Sequence, residues 1–150
     1  MVTKSLIQDF LSQRNLAIVG ISRNSRKFGN TIFNGLKSKG YNVIPVNPNL
    51  EIYDNQKCYP DLSSIKEQID GVVVVVPPKK SEAIVREASS LGIHRIWLQQ
   101  GASSKEIVKY CEENGINVIH GYCIFMFAEP SEFFHRVHRW FMKIFGKLPE

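Results

Sequence analysis

A glycine and a serine close the first apolar run of the sequence, and basic residues follow them at once. The run covers residues 16–22, with Gly20 near its end and with Arg26 and Lys27 in the loop beyond it. A glycine lets the backbone turn sharply, and free N–H groups, a hydroxyl and cationic side chains all suit a phosphate. A helix predicted over 29–39 would direct the positive end of its dipole at the same point. These residues predict an anion site.

The same loop differs from the dinucleotide fingerprint. After Gly20 the next glycine is Gly29, a spacing longer than that of G-x-G-x-x-G. An NAD site also needs a carboxylate at the end of the second strand, to hold the adenine ribose. That strand ends Val46-Asn47-Pro48, and the nearest acid is Glu51, beyond a proline turn. The pattern therefore argues against a nicotinamide dinucleotide.

Apolar runs typical of buried parallel strands alternate along the chain with amphipathic segments typical of helices. The runs predict strands over residues 16–21, 41–46, 71–76, 94–98 and 117–120. Capping-box spacing predicts a first helix opened by Ser5 and a last one opened by Ser103. Between them, Ser81 and Glu82 would open a helix that ends at Gly92, and residues 61–65 would form a short helical turn.

This alternation predicts an α/β fold, a doubly wound (Rossmann-like) parallel sheet of about five strands with helices on both faces. We expect the crossovers to place successive helices alternately over and under the sheet. Ligands of such sheets bind at the carboxyl ends of the strands. Those ends are Gly20-Ile21-Ser22, Val46-Asn47-Pro48, Val76-Pro77-Pro78, Gln99-Gln100-Gly101 and Gly121-Tyr122-Cys123. None presents a nucleophile with a base and an acid, so the site is predicted to hold a ligand rather than to transform one.

Composition is that of a soluble globular protein with one core. The chain has 150 residues, 43% of them hydrophobic and 22% charged, and a formal net charge of +5 that favours anionic partners. It contains neither a membrane-spanning run nor the pattern of a secretory signal, and it lacks the basic and aromatic alternation of an RNA-binding sheet. Its three cysteines show no paired spacing. We therefore expect a cytoplasmic protein with reduced thiols and no nucleic-acid partner.

Five motifs in this order resemble the stand-alone CoA-binding domain family, often called YccU-like. This family is similar to the N-terminal CoA-binding domain of the succinyl-CoA synthetase alpha subunit. The resemblance runs over residues 15–123. Its motifs are Ala17-Ile18-Val19-Gly20-Ile21-Ser22, Lys27-Phe28-Gly29-Asn30, Gly40-Tyr41-Asn42-Val43-Ile44-Pro45-Val46-Asn47-Pro48, Val75-Val76-Pro77 and Ile96-Trp97-Leu98-Gln99-Gln100-Gly101.

The resemblance implies a bound coenzyme A with its diphosphate on the first turn, near Gly20, Ile21, Ser22, Lys27 and Gly29. By the same analogy the nucleotide would lie at Val46, Asn47 and Pro48, with Val76 and Pro77 beside the ligand. Arg26, Gln99, Gln100 and Gly101 complete the predicted cofactor-binding set. Several basic residues compete for the 3′-phosphate of CoA: Arg23, Arg26, Lys27, Lys79 and Lys80.

The predicted function is non-catalytic binding of CoA or acyl-CoA, as a sensor or carrier module. The alternatives are an NAD(P)-type enzyme, an acyl-CoA-processing enzyme with Cys123 as nucleophile, and a ligand-free scaffold. A mixed disulfide between Cys123 and CoA is a further option. His120 is not expected to act catalytically, because the histidine of the synthetase lies in a different domain. We expect Gly20→Val to abolish CoA binding while the fold survives.

Residues 129–150 form a second predicted unit, after the CoA-binding domain of residues 1–128. From Ser131 a basic, aromatic, amphipathic helix is predicted to about Phe145. It would pack on its own domain or on a second subunit in a homodimer; an anionic membrane surface or a protein partner are the less favoured options. His135 and His138 share a face of this helix, but without a third ligand nearby no metal site is predicted.

Overall fold

A parallel sheet forms the centre of the computed structural model, which describes residues 1–128. The strands of this part of the chain are β1 (Asn15–Val19), β2 (Asn42–Val46), β3 (Ile52–Tyr53), β4 (Gln56–Lys57), β5 (Gly71–Val74), β6 (Arg95–Leu98) and β7 (Asn117–His120). The helices are α1 (Lys4–Leu11), α2 (Phe28–Ser38), α3 (Pro78–Ser90) and α4 (Lys105–Glu113), with a 3₁₀ turn at Ile124–Met126. The predicted α/β class is confirmed. The C-terminal helix, His135 and His138 lie outside the described residues.

The main sheet has the strand order β2-β1-β5-β6-β7, and all of its neighbouring strands are parallel. Residues of β5 are buried along its whole length, as its uninterrupted apolar sequence predicts for a strand covered on both faces. The chain moves outward from β1 to β2, then returns to β5 and continues the other way. The order of strands therefore reverses between β1 and β5, which are neighbours in the sheet.

Helices cover both faces of the sheet, as predicted, but they do not alternate between them. Buried side chains of α1 and α2 share one core cluster, and those of α3 and α4 share the other. Successive right-handed crossovers in one direction place their helices on the same face, and the face changes where the strand order reverses. The expectation of alternating helices is therefore wrong, and the two faces meet in a crevice between β1 and β5.

Three predicted helix starts are wrong by a few residues. The hydroxyl of Thr3, not Ser5, accepts the Leu6 N–H at 3.2 Å, and Ser104, not Ser103, caps α4. In both cases a serine was predicted as the N-cap because an acid or an amide follows it three positions later. The observed N-cap is instead the residue whose backbone is extended. The helix α3 begins at Pro78 rather than Ser81, because proline at the first helical position has its φ already set.

The stretch after β2 holds a small antiparallel hairpin that the sequence does not predict. Its strands β3 and β4 have two residues each, too few to show alternation, and the turn residues Asp54 and Asn55 both have positive φ. The side chain of Tyr53 packs edge-on against the Phe33 ring of α2. Residues 61–65, predicted as helical, form a turn closed by a 3.1 Å hydrogen bond from Ile65 N to the Leu62 carbonyl.

After β7 the chain folds back over the face that carries α1 and α2. Trp97 Nε1 donates to the Tyr122 carbonyl at 3.0 Å, which fixes the start of this return. The ring of Phe125 then lies against Gly35 of α2, where a Cβ atom would overlap its Cζ and lie 2.6 Å from its Cε1. The absence of a side chain at Gly35 is thus what allows the returning segment to reach the core.

We predict that Gly35→Ala lowers the free energy of unfolding by about 1–3 kcal/mol, because Phe125 is buried and has little room to move. In an open helix the same change would stabilise by up to about 1 kcal/mol. Urea denaturation measures the difference, with Thr31→Ala, an exposed position of the same helix, as the matched control. A Gly35→Ala variant as stable as the unaltered protein would contradict this packing.

Candidate functional site

A cavity of about 600 Å³ opens at the carboxyl ends of β1 and β2, in the crevice where the strand order reverses. This is the place and the size typical of a small-ligand site in such a sheet. Eight of the predicted cofactor-binding residues line it: Gly20, Ile21, Ser22, Lys27, Val46, Asn47, Pro48 and Val76. Residues brought to it from other parts of the chain include Leu62, Lys79, Lys80, Ala83, Ile84 and Glu87.

The turn after β1 is closely packed on two sides. Gly20 has φ +126°, and a Cβ there would collide with the Val75 carbonyl group. A Cβ on Gly29 would in turn collide with the carbonyl of Gly20. These two glycines let β5, the turn and the start of α2 approach one another at backbone distance. The expectation that Gly20→Val leaves the fold intact is therefore not supported, because the new side chain would strain the turn itself.

Asn30 holds the loop between the turn and α2, a role that sequence reasoning missed. Its side chain is buried; Oδ1 accepts the Ser22 N–H at 2.9 Å, and Nδ2 donates to the carbonyls of Ser22 (2.8 Å) and Asn24 (3.3 Å). The loop residue Asn24 also donates its N–H to the Ser22 hydroxyl at 3.1 Å. The sequence offers one signal for this role, because Asn30 is a polar residue in the first turn of a helix and lies close to the buried residues Ile32 and Phe33.

Asn47 ties the end of β2 to the first turn. Its Nδ2 donates to the Ile21 carbonyl, and its Oδ1 accepts the Asn49 N–H at 2.6 Å. The backbone N–H of Asn47 donates to the Tyr59 carbonyl at 2.9 Å, which extends the edge of the sheet. Asn47 therefore lines the cavity as predicted, while its side chain shapes the wall through bonds within the chain.

Glu87 supports the opposite wall of the cavity and was also missed from sequence. Its two carboxylate oxygens accept the Leu62 N–H at 3.0 Å and the Ser63 hydroxyl at 2.9 Å. This fixes Leu62 in the lining with Ile84 and Val76, which pack against the same core cluster, so that one part of the cavity is apolar. No local pattern reveals such a contact, because Glu87 lies 25 residues from Leu62 in the chain.

The remaining part of the cavity is cationic. Lys27 is the N-cap residue of α2, and Lys79 and Lys80 belong to the first turn of α3. Two helix N-termini, with their free N–H groups and positive dipole ends, therefore meet at the cavity. Within residues 1–128 none of the three lysines forms a salt bridge. The lining acids Asp61 and Glu87 accept hydrogen bonds from their own chain, which leaves the lysines to attract an anion.

Six predicted site residues lie outside the cavity lining: Arg26, Gly29, Pro77, Gln99, Gln100 and Gly101. Arg26 is exposed on the loop, and Pro77 is the N-cap residue of α3. Gln99 is buried; its Oε1 accepts the Ile124 N–H at 2.8 Å and its Nε2 donates to Cys123 Sγ at 3.4 Å. This geometry assigns Gln99 to holding the returning segment, and a contact between these six residues and a ligand stays a prediction.

Cys123 and His120 are not arranged as a catalytic pair. The Cys123 thiol is buried, and burial raises its pKa, which keeps it protonated and a poor nucleophile. Burial also lowers the pKa of His120, which lines a different cavity, together with Ser104 and Lys105. Within the described part of the chain, no three His, Cys, Asp or Glu side chains converge as metal ligands, and no helix is long and apolar enough to cross a membrane.

Comparison with known protein families shows to which family this chain belongs. Residues 14–129 match the family described as a CoA binding domain, which is most of the sequence. The chain belongs to this family. The resemblance that the motifs indicated is confirmed. The cavity lies at the carboxyl ends of β1 and β2, and Ser22 and Pro48, the last residues of two of the motifs, line it.

Two curated relatives of the CoA binding domain differ greatly in length. ADP-forming acetate–CoA ligase II of Archaeoglobus fulgidus is 30% identical over 108 residues, which are 71% of this chain and 16% of the ligase. The uncharacterized protein YneT of Bacillus subtilis is 27% identical over 123 residues, 81% of this chain and 91% of YneT. The chain spans 16% to 28% of the first three ligase sequences that it matches.

Solved structures show the same fold at the scale of the whole domain. A conserved hypothetical protein from Pyrococcus furiosus is 40% identical with a TM-score of 0.72, and the match covers 75% of this chain and 97% of that one. A hypothetical protein from Pyrococcus horikoshii is 27% identical with a TM-score of 0.76, covering 83% and 87% respectively. The CoA binding domain thus occurs both as a small separate chain and as one part of larger ligases.

We predict that Asn30→Ala lowers the free energy of unfolding by about 1–3 kcal/mol, because it leaves the Ser22 N–H and two carbonyls without their partner. Asn30→Asp keeps the acceptor for Ser22 and loses both donors, so it should destabilise as well. Chemical denaturation measures both variants against Ser25→Ala, an exposed position in the same loop. Equal stability of Asn30→Ala and Ser25→Ala would contradict the role given to Asn30.

Proposed function

We propose that this protein binds coenzyme A or an acyl-CoA in the cavity at the ends of β1 and β2, without catalysing a reaction on it. The observation that carries the proposal is that one cavity combines a cationic part, next to two helix N-termini, with an apolar part. A CoA molecule has matching parts, an anionic diphosphate and a flat adenine whose aromatic faces pack on apolar side chains. Membership of the CoA binding domain family supports the same ligand.

The diphosphate belongs at the first turn in this proposal. Gly20, Ile21, Ser22 and Lys27 all line the cavity there, and the Ser22 hydroxyl, which accepts the Asn24 N–H, can still donate to a phosphate. The first residues of α2 add N–H groups that have no helical acceptor. An anion of two phosphates placed there would be attracted by the three lysines of the cavity lining, Lys27, Lys79 and Lys80.

The adenine belongs in the apolar part of the cavity, among the lining side chains of Pro48, Leu62, Val76 and Ile84. A planar ring between such side chains is removed from water on both faces, which favours binding in proportion to the area buried. The pantetheine arm would then extend from the diphosphate along the strand ends. On that route it would pass Gln100 and Gly101, which gives these two predicted residues a place beside the ligand.

We also propose that the protein catalyses no reaction on the bound CoA. The Cys123 thiol is buried with a raised pKa and lies outside the cavity lining, and the lining carboxylates Asp61 and Glu87 accept hydrogen bonds from their own chain. The ligase activity named for the longer relatives belongs to proteins of which this chain matches less than a third. A domain that binds CoA and does nothing else would act as a sensor or carrier for a partner.

The same proposal places the protein in the cytoplasm. All three cysteines are free and buried, which suits the reducing cytoplasm where CoA is abundant. The division into a domain of residues 1–128 and a segment of residues 129–150 stays a prediction, as does the homodimer. We place the partner contact on that segment, because basic and aromatic residues are concentrated in its sequence.

We predict that calorimetric titration of the ligand-stripped protein shows binding of CoA that is tighter than binding of NAD. Lys27→Gln should weaken CoA binding about tenfold, or ~1.4 kcal/mol, because it removes a charge from the diphosphate edge. Lys109→Gln, on α4 and outside the cavity, is the matched control and should bind as the unaltered protein does. Preference for NAD, or no effect of Lys27→Gln, would contradict the proposal.

A further inference from the structure

A second cavity, of about 760 Å³, adjoins the first at the end of β2. The two share Pro48, Asn49 and Pro60, so a ligand that fills the first reaches the edge of the second. Two cationic side chains, Arg23 and Lys57, line the second cavity and are absent from the lining of the first. The function proposed above leaves this adjoining space, and both of its cations, without a role.

Contacts within the chain hold both cations in place without cancelling their charge. Arg23 Nη2 donates to the Asn49 carbonyl at 2.9 Å, which uses one of the five N–H donors of the guanidinium. Lys57 Nζ lies 4.9 Å from the centre of the Tyr59 ring, which is itself buried. Among the ion pairs of residues 1–128 neither Arg23 nor Lys57 takes part.

Two carboxylates lie near these cations. Glu51 lines the second cavity and is exposed to solvent. Glu67 lies outside the lining; its own backbone N–H and the Tyr59 hydroxyl hold its pKa below the usual range, and Lys57 contributes a smaller electrostatic part. The lining therefore carries two positive side chains against one negative one, which favours an anion and would bind it more tightly without Glu51.

The placement of CoA in the first cavity decides which anion reaches the second. With the diphosphate at Gly20 and the adenine against Pro48, the ribose between them lies at the end of β2, beside Asn47 and Asn49. Its 3′-phosphate would then be within reach of the edge that the two cavities share, formed by Pro48, Asn49 and Pro60. We propose that the second cavity binds the 3′-phosphate of CoA between Arg23 and Lys57. This assignment rests on the proposed function and names the residues that distinguish CoA from dephospho-CoA.

The other basic residues near the site have different places. Lys79 and Lys80 line the first cavity from α3 and are absent from the lining of the second, so we expect them to meet the diphosphate rather than the 3′-phosphate. Arg26 is exposed on the loop and lines neither cavity. Of the basic residues around the site, Arg23 and Lys57 are thus the two that share a wall beside the end of β2.

Titrations of CoA and dephospho-CoA into the same set of variants test the assignment. Arg23→Gln should weaken CoA binding about tenfold and leave dephospho-CoA binding within about twofold, since a charge-assisted bond is lost only where the 3′-phosphate is present. Lys57→Gln should act in the same direction and more weakly. Glu51→Gln should strengthen CoA binding about twofold and leave dephospho-CoA unchanged. Arg23→Lys, which keeps the charge, should retain part of the discrimination.

Arg14→Gln is the matched control, a loss of the same charge at an exposed position directly before β1 that lines neither cavity, and it should leave both affinities unchanged. Circular dichroism and thermal unfolding confirm that each variant is folded. Equal weakening of both ligands by Arg23→Gln, or loss of the discrimination in Lys80→Gln instead, would overturn the assignment while the proposed function stands. If the unaltered protein binds neither ligand, the proposed function fails and the assignment fails with it.

Discussion

The close approach of three backbone segments at Gly20 is the constraint on which the site depends. A side chain at Gly20 would meet the Val75 carbonyl, and a side chain at Gly29 would meet the carbonyl of Gly20. With hydrogens alone at these positions, β1, the end of β5 and the first turn of α2 come together where the strand order reverses. The crevice, the helix dipole of α2 and the cavity all follow from that contact.

Buried polar side chains convert this packing into a shaped cavity. Asn30 fixes the loop that carries Ser22, Asn47 fastens the end of β2 to the first turn, and Glu87 positions Leu62 on the apolar wall. A loop held through several hydrogen bonds loses little conformational freedom when a ligand arrives, which lowers the entropic cost of binding. Asn30, Asn47 and Glu87 each have hydrogen-bond partners within their own chain, so the lysines that line the cavity are left to meet the ligand.

The sequence predicts the part of the site that depends on strands and their ends. Gly20 and Val76 lie far apart in the chain, yet parallel strands bring their carboxyl ends together, so their meeting was foreseeable. The contacts of Asn30 and Glu87 were not, because a polar residue on a helix looks the same in sequence whether it faces solvent or a buried loop. Gln99 adds a contact of the same kind, since an amide at a strand end suggests a ligand contact in sequence while its bonds to the returning segment are visible only in the fold. Residues whose partner is remote in sequence thus escape pattern reasoning.

The central claim is that CoA occupies the crevice between β1 and β5. The most direct test is a titration of ¹⁵N-labelled protein with CoA, followed residue by residue through its amide resonances. We predict saturable shifts at Gly20, Ser22 and Lys79, which line the cavity, and none at His120, which lines a different one. Shifts centred on His120, or no saturable shift at the first turn, would contradict the account.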